Sequence, residues 1–127
     1  EPITGAVTLV GDVGESDAPA RIRAALGGPA DIVLSDMAPS ASGHPGADHL
    51  RIVALAEEAL ALAEQVLAPG GSFVCKVWHG GAAPALLVAL KRAFADVRHA
   101  KPPASRAASA EIYVIARGYR PHAASPL

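Results

Sequence analysis

This chain has little cysteine, little net charge and no long apolar run, and each shortage removes a class of protein. One cysteine, Cys75, excludes an internal disulfide and fits a reducing, cytoplasmic setting. A formal charge of −1 with a pI near 6.6 gives no global basic signal for nucleic acid. No apolar stretch approaches the roughly 20 residues of a membrane span, and no secretory leader is visible. The five histidines, His44, His49, His79, His99 and His122, lack metal-ligand spacing, so no metal is expected. What remains, 51% hydrophobic and 18% charged residues in 127, indicates one packed domain rather than disorder. Charge is uneven all the same: from Lys91 to Arg120 there are seven Lys/Arg and two acids, either a local phosphate-binding face or a merely solvated one.

The order of elements points to an α/β fold. Ala6 to Val10 reads as a short strand closed by Gly11-Asp-Val-Gly14. Ser16 or Asp17 can cap a helix that carries Pro19 in its first turn and stops at Gly27-Gly28. Ile32 to Leu34 is apolar without alternation, as in a strand covered on both faces. After a Ser-, Pro- and Gly-rich loop, Asp48 caps a helix to Leu67, with Ile52, Leu55, Ala59, Leu62, Ala63 and Val66 at helical spacing. Pro69-Gly-Gly71 precedes a strand through Lys76; then come a helix from Pro84 to Phe94, a strand near Asp96 to Ala100, and a last strand from Glu111 to Ala116. Residues 1–118 form the domain and 119–127 a loose tail. No repeat or dividing linker is present. Strand–helix alternation predicts an open, mainly parallel sheet. The connection before Glu111 has no helical pattern, so the last strand is expected to run antiparallel.

Three charges occupy strand positions that should be apolar. Lys76 sits inside Gly71-Ser-Phe-Val-Cys-Lys-Val-Trp78, where an unpaired ammonium is costly to bury. Asp36 ends Asp31-Ile-Val-Leu-Ser-Asp36 and Glu111 opens Glu111-Ile-Tyr-Val-Ile-Ala116. Ligands of open α/β sheets bind at the carboxyl ends of the strands, and an antiparallel last strand brings all three charges to that rim. A buried ion pair holding loops together accounts for the pattern, and so does a lysine base with two orienting carboxylates. Alone, Asp36 reads equally as a turn residue and Glu111 as an edge residue. Cys75, Phe73 and Tyr113 read as packing.

Four segments in register resemble the FtsJ/RrmJ ribosomal RNA 2′-O-methyltransferases: Gly11-Asp-Val; Ser35-Asp-Met-Ala-Pro-Ser40; Leu67-Ala-Pro-Gly-Gly-Ser-Phe-Val-Cys-Lys-Val77; and Lys101-Pro-Pro-Ala-Ser-Arg-Ala-Ala-Ser-Ala-Glu-Ile-Tyr113. The resemblance runs from about Glu1 to Gly118. It implies a Rossmann-like sheet, S-adenosylmethionine as cofactor, and methylation of a uridine ribose 2′-hydroxyl in large-subunit ribosomal RNA. It matches Asp36, Lys76 and Glu111 to three members of a Lys-Asp-Lys-Glu tetrad and Asp12 to the acidic position near the cofactor's adenine, with Asp36 also on the cofactor side. Lys76 is then the general base. Lys101, Ser105, Arg106 and Ser109, in the loop before Glu111, are the candidate RNA contacts. Trp78-His79 departs mildly from the family's aromatic-Gln.

The family's first lysine and its Asp-x-Gly-x-x-Pro-Gly-Gly cofactor loop are not found in this sequence. The chain is therefore expected to correspond to the C-terminal two-thirds of such an enzyme, inactive or impaired alone. Without a neighbouring cation, Lys76 would face two carboxylates and stay protonated. The strands lacking from the sheet would lie between Val7–Val10 and Ile32–Leu34, so self-association through an open edge, or a displaced N-terminal segment, is expected. Two alternatives keep part of this reading: a transfer RNA ribose methyltransferase, and a non-catalytic RNA-binding or ribosome-assembly module.

Overall fold

The computed structural model describes residues 4–36, 45–77, 82–101 and 112–121. Its elements run α1 (Ala18–Leu26), β1 (Ala30–Ser35), α2 (Pro45–Val66), β2 (Leu67–Val77), α3 (Pro84–Ala93), β3 (Phe94–Ala100) and β4 (Ile112–Tyr119). The strands form one sheet in the order β1-β2-β4-β3. β1 and β2 are parallel, and β4 is antiparallel to both β2 and β3. Three strands thus share one direction and the last is reversed, as the missing helical pattern before it predicts. The described strands form a mixed sheet, with one parallel and two antiparallel pairings, in an α/β arrangement of the Rossmann-like kind.

Local chemistry explains the helix ends. Pro19 lies in the first turn of α1, where its absent N–H costs nothing. Asp17 occupies the N-cap without a side-chain bond. Gly27 at φ 81° takes the left-handed conformation, and its N–H and that of Gly28 both return to the Arg23 carbonyl. At the end of α3 the capping groups come from the distant Arg120. Its Nη2 donates to the carbonyls of Lys91 at 2.9 Å and Phe94 at 3.0 Å, and its N–H donates to Ala93 at 2.7 Å. Tyr119, buried as the last residue of β4, donates its hydroxyl to the Glu64 carbonyl at 2.8 Å. The folded body therefore extends past Gly118, where the sequence reading placed the start of a tail. Residues 122–127 lie outside the described ones.

The core lies on one side of the sheet. Ala56, Ala59, Leu60, Ala63 and Val66 of α2, with Leu86, Leu90 and Ala93 of α3, cover Phe73, Cys75, Val77, Val114 and Ala116. The rings of Phe73 and Phe94 stack at 6.3 Å, and Phe94 and Tyr119 lie 5.4 Å apart. Gly71 permits the approach of β1 to β2: a Cβ there would stand 2.9 Å from the Asp31 carbonyl oxygen.

Two strand expectations are corrected. Ala6–Val10 forms no strand; these residues are exposed, since no described strand lies beside them to complete a ladder. β1 is not covered on both faces: Ile32 is 65% and Leu34 68% exposed, because α2 packs only on the Val33 side. β1 is an edge strand with an open apolar face. Smaller shifts are that α2 begins at Pro45 rather than at an Asp48 cap, and that β3 begins at Phe94.

Candidate functional site

The parallel register sets Ser35 beside Cys75, so the residues that follow each of them meet at the carboxyl end of the two strands. There the Lys76 ammonium pairs with Asp36 Oδ1 at 3.2 Å. On its other side Lys76 is level with Tyr113 of β4. Alternation along β2 sends Phe73, Cys75 and Val77 into the core and places Ser72, Val74 and Lys76 on the open face. The lysine side chain is 25% exposed and its carboxylate partner 62%. No charged residue among the described ones is buried. The expectation of a buried ammonium thus gives way to a partly wet one. Its ammonium meets Asp36 and is partly reached by solvent. A pair this exposed contributes little stability, so its consequence is positional.

β4 starts with Ile112 opposite Val77. Glu111 immediately precedes it in sequence and lies outside the described residues, as do Ser105, Arg106 and Ser109. Lys101 follows the end of β3 and is exposed; Ala100 before it pairs with Tyr113, which pairs with Lys76. Lys76, Asp36 and Lys101 therefore share one rim.

Asp12 lies in a tight turn. Its carboxylate accepts the Gly14 N–H at 2.8 Å, and its own N–H donates to Glu15 Oε1 at 3.1 Å. Arg21 braces the preceding segment by donating to the Val10 carbonyl at 2.9 Å. Val13, the next residue, joins Val33, Leu34, Ser35, Asp36, Ala59 and Leu62 around an apolar recess of about 180 Å³. Val13 of this turn and Asp36 thus border one recess, while Asp12 itself lines a neighbouring one with Val10, Arg21 and Ile22. Sequence spacing alone does not show this, because it depends on how the turn folds over β1.

Among the described residues no His/Cys/Asp/Glu group could hold a metal ion, and no helix is long and apolar enough to cross a membrane. Burial pushes the Cys75 thiol up to about 11, which suits packing rather than nucleophilic chemistry. Two features went unforeseen. The His99 ring accepts the Ala82 N–H through Nε2 at 3.1 Å, and Asp96 gathers the guanidiniums of Arg98 and Arg117. Both pairings depend on strand register, which sequence alone does not supply. The basic bias from Lys91 onward does not form one face: Lys91 and Arg92 ride on α3, Arg120 caps that helix, and Arg98 and Arg117 meet on the sheet.

Known proteins resemble this chain in sequence and in fold. A protein of Paramagnetospirillum magneticum named ribosomal RNA large subunit methyltransferase E is 59% identical over 120 residues, covering 94% of this chain and 49% of its own length. One of the same name from Gluconobacter oxydans is 53% identical over 121 residues, covering 95% of this chain and 45% of its own length. The chain thus spans about half the length of the curated relatives it matches. Among solved structures, a Plasmodium falciparum protein assigned as a ribosomal RNA methyltransferase superposes with a TM-score of 0.78 at 25% identity, over 94% of this chain and 66% of that one. The sequence pattern of FtsJ-like methyltransferases matches residues 1–119, and the chain belongs to that family.

Proposed function

We propose that this chain carries the acceptor side of a ribose 2′-O-methyltransferase site acting on large-subunit ribosomal RNA. The observation that carries the reading is the Lys76–Asp36 pair, at 3.2 Å, on the open rim at the carboxyl ends of β1 and β2. Lys76 in its neutral form accepts the proton of the ribose hydroxyl, and Asp36 holds the amine in position. Glu111, next in sequence before Ile112, is the second orienting carboxylate. Lys101, Ser105, Arg106 and Ser109 contact the RNA backbone.

The recess beside Asp36 supports a cofactor with an apolar ring system. Val33, Leu34, Ala59 and Leu62 line it with Val13, the residue after Asp12. S-adenosylmethionine would supply a methyl group already activated on a sulfonium, so the protein's task is to position the hydroxyl and remove its proton. Asp12 and Asp36 are its proposed contacts. A cavity of about 180 Å³ is below the roughly 300–1,000 Å³ of complete small-molecule sites, so it accommodates part of such a group.

The test is transfer of labelled methyl from S-adenosylmethionine to undermethylated large ribosomal subunits. It compares the chain with a fusion to the part of the Paramagnetospirillum magneticum relative that the match leaves out. Ribose-borne label from the fusion, abolished by Lys76→Ala, is expected. Label that survives Lys76→Ala, or no label from the fusion, would overturn the reading.

A further inference from the structure

The start of helix α3 lacks the local devices that usually fix a helix end. Ala83 at the N-cap makes no side-chain bond, Pro84 at the first helical position has no N–H, and no acid stands in the first turn. A residue of the edge strand takes their place. The Ala82 N–H, just before the cap, donates to His99 Nε2 of β3 at 3.1 Å. His99 pairs across the ladder with Val114, which is buried beneath the helices. The contact therefore lies on the side of the sheet that this chain's own α2 and α3 cover, not on the opposite one.

A backbone N–H always donates, so the ring must accept, and it can do so only as a neutral imidazole with its proton on Nδ1. An imidazolium has no lone pair to offer, and its charge would meet the positive end of the α3 dipole. Both effects act in the same direction. Ile112, Val114 and Ala116 on the same face of β4, and Pro84-Ala-Leu-Leu87 in the first turn of α3, carry no titratable group to offset them. Along its own strand, Asp96 and the Arg98 bound to it fall on the other face, as does Tyr113 of β4. Lys101 lies beyond the strand end, and Lys91 and Arg92 stand at the opposite end of α3. The ring is exposed, so protons reach it.

We propose that neutral His99 is a positioning residue of the rim: it holds the Ala82 N–H and so fixes the start of α3, and protonation of the ring releases it. The consequence for activity rests on the ribose-methyltransferase reading above. Placement supplies the link. Val114 pairs with His99 on one side and Cys75 on the other, so His99 stands one residue below the level of Lys76. Val77, after Lys76, ends β2, and Ala82 stands at the entrance to α3, so the bond closes the β2–α3–β3 crossover at the rim. Lys101, two residues after His99, opens the connection that carries the proposed RNA contacts. One imidazole thus joins the chain leaving the lysine strand to the chain entering that loop.

Two measurements test it. In the full chain, nitrogen NMR of the His99 ring should show the proton on Nδ1 at about pH 8, and the Ala82 amide signal should move with the ring as the pH falls to about 5. His99→Gln, whose side-chain oxygen can accept the same bond, should hold the Ala82 signal still. In the fusion described above, methyl transfer by the parent should fall about fivefold relative to His99→Gln between those limits, the worth of one ordinary hydrogen bond. Lys76 and the other histidines are common to both and cancel from that ratio. His99→Leu should lie about fivefold below the parent at the upper limit. A ring proton on Nε2, or an Ala82 signal indifferent to pH in the parent, would overturn the contact. A parent-to-Gln ratio that stays flat with pH would overturn the positioning role. A fusion silent at every pH would overturn the methyltransferase reading and the effect on activity with it, while the NMR titration still decides the contact.

Discussion

The two faces of strand β2 differ more than any two segments of this chain. Phe73, Cys75 and Val77 point beneath α2 and α3 and are sealed, whereas Ser72, Val74 and Lys76 point away and stay partly wet. The same contrast crosses the sheet. Val114 and Ala116 are buried, while their β4 neighbours Tyr113, Ile115 and Arg117 are not. Every charged group assigned chemistry here and described on the strands or their ends belongs to the less covered side or the rim. The reason is physical: an ammonium or carboxylate keeps its hydration only where no helix covers it. Stability and chemistry therefore divide by alternation within single strands.

The largest effect that can break this comparison is a pair of neighbouring truncations. Phe73→Ala opens a cavity against Phe94 in a closed core and should cost about 3–5 kcal/mol. Val74→Ala, one residue along on the half-covered face, should cost about 1 kcal/mol or less. Urea unfolding of both variants checks the difference. Equal costs would mean that the open face is packed as tightly as the other, and the division would fail.

How much of this was legible beforehand follows from what each inference needed. The elements were readable because their signals are local: Pro19 and Gly27 bracket α1, and the pattern before Glu111 lacks a helix; Pro69-Gly-Gly71, expected to end α2, instead falls inside β2, where the register with β1 shifts. The antiparallel direction of β4 followed from that last absence, and the juxtaposition of Asp36 and Lys76 at one rim followed from the parallel pairing of β1 and β2. Coverage was harder. Ile32-Val-Leu34 has the composition of a doubly covered strand, but which faces are covered depends on elements distant in sequence, and Ile32 and Leu34 are open. Val7–Val10 has strand-forming residues and forms none, since a strand exists only by pairing. The recess linking Val13 to Asp36, and the register that sets Arg117 against Asp96, are tertiary facts with no local signature.

The sealed face also predicts a pH response of intermediate size. Burial raises the Cys75 thiol from 9.0 to about 11. In the unfolded chain the thiol ionises first as pH rises, so stability is unaffected below about 9, falls between about 9 and 11, and levels off above. Two pH units correspond to at most about 2–3 kcal/mol. Lysine and tyrosine titrate in the same window, so the quantity to measure is the difference in unfolding free energy between the parent and Cys75→Ala from pH 8 to 11. That difference should drift against the parent as pH rises. A constant difference would mean that the thiol is not sealed.

The smallest expected effect comes from the open face, at the opposite end of the pH scale. The Arg98 guanidinium, and after it Arg117, hold the Asp96 carboxyl below the usual carboxylate range. A depressed folded value means that its stabilisation is present above the unfolded value of about 3.9 and is lost as pH falls through the lower folded one. Because the cluster is exposed and salt-screened, the loss should be slight, and it should shrink further at high ionic strength. Carbon-detected titration of the Asp96 carboxyl, run beside Arg98→Ala, reads the shift directly. An ordinary titration in the parent would show that the guanidiniums do not hold the carboxylate. The shift returning toward normal in Arg98→Ala would instead tie it to the fork.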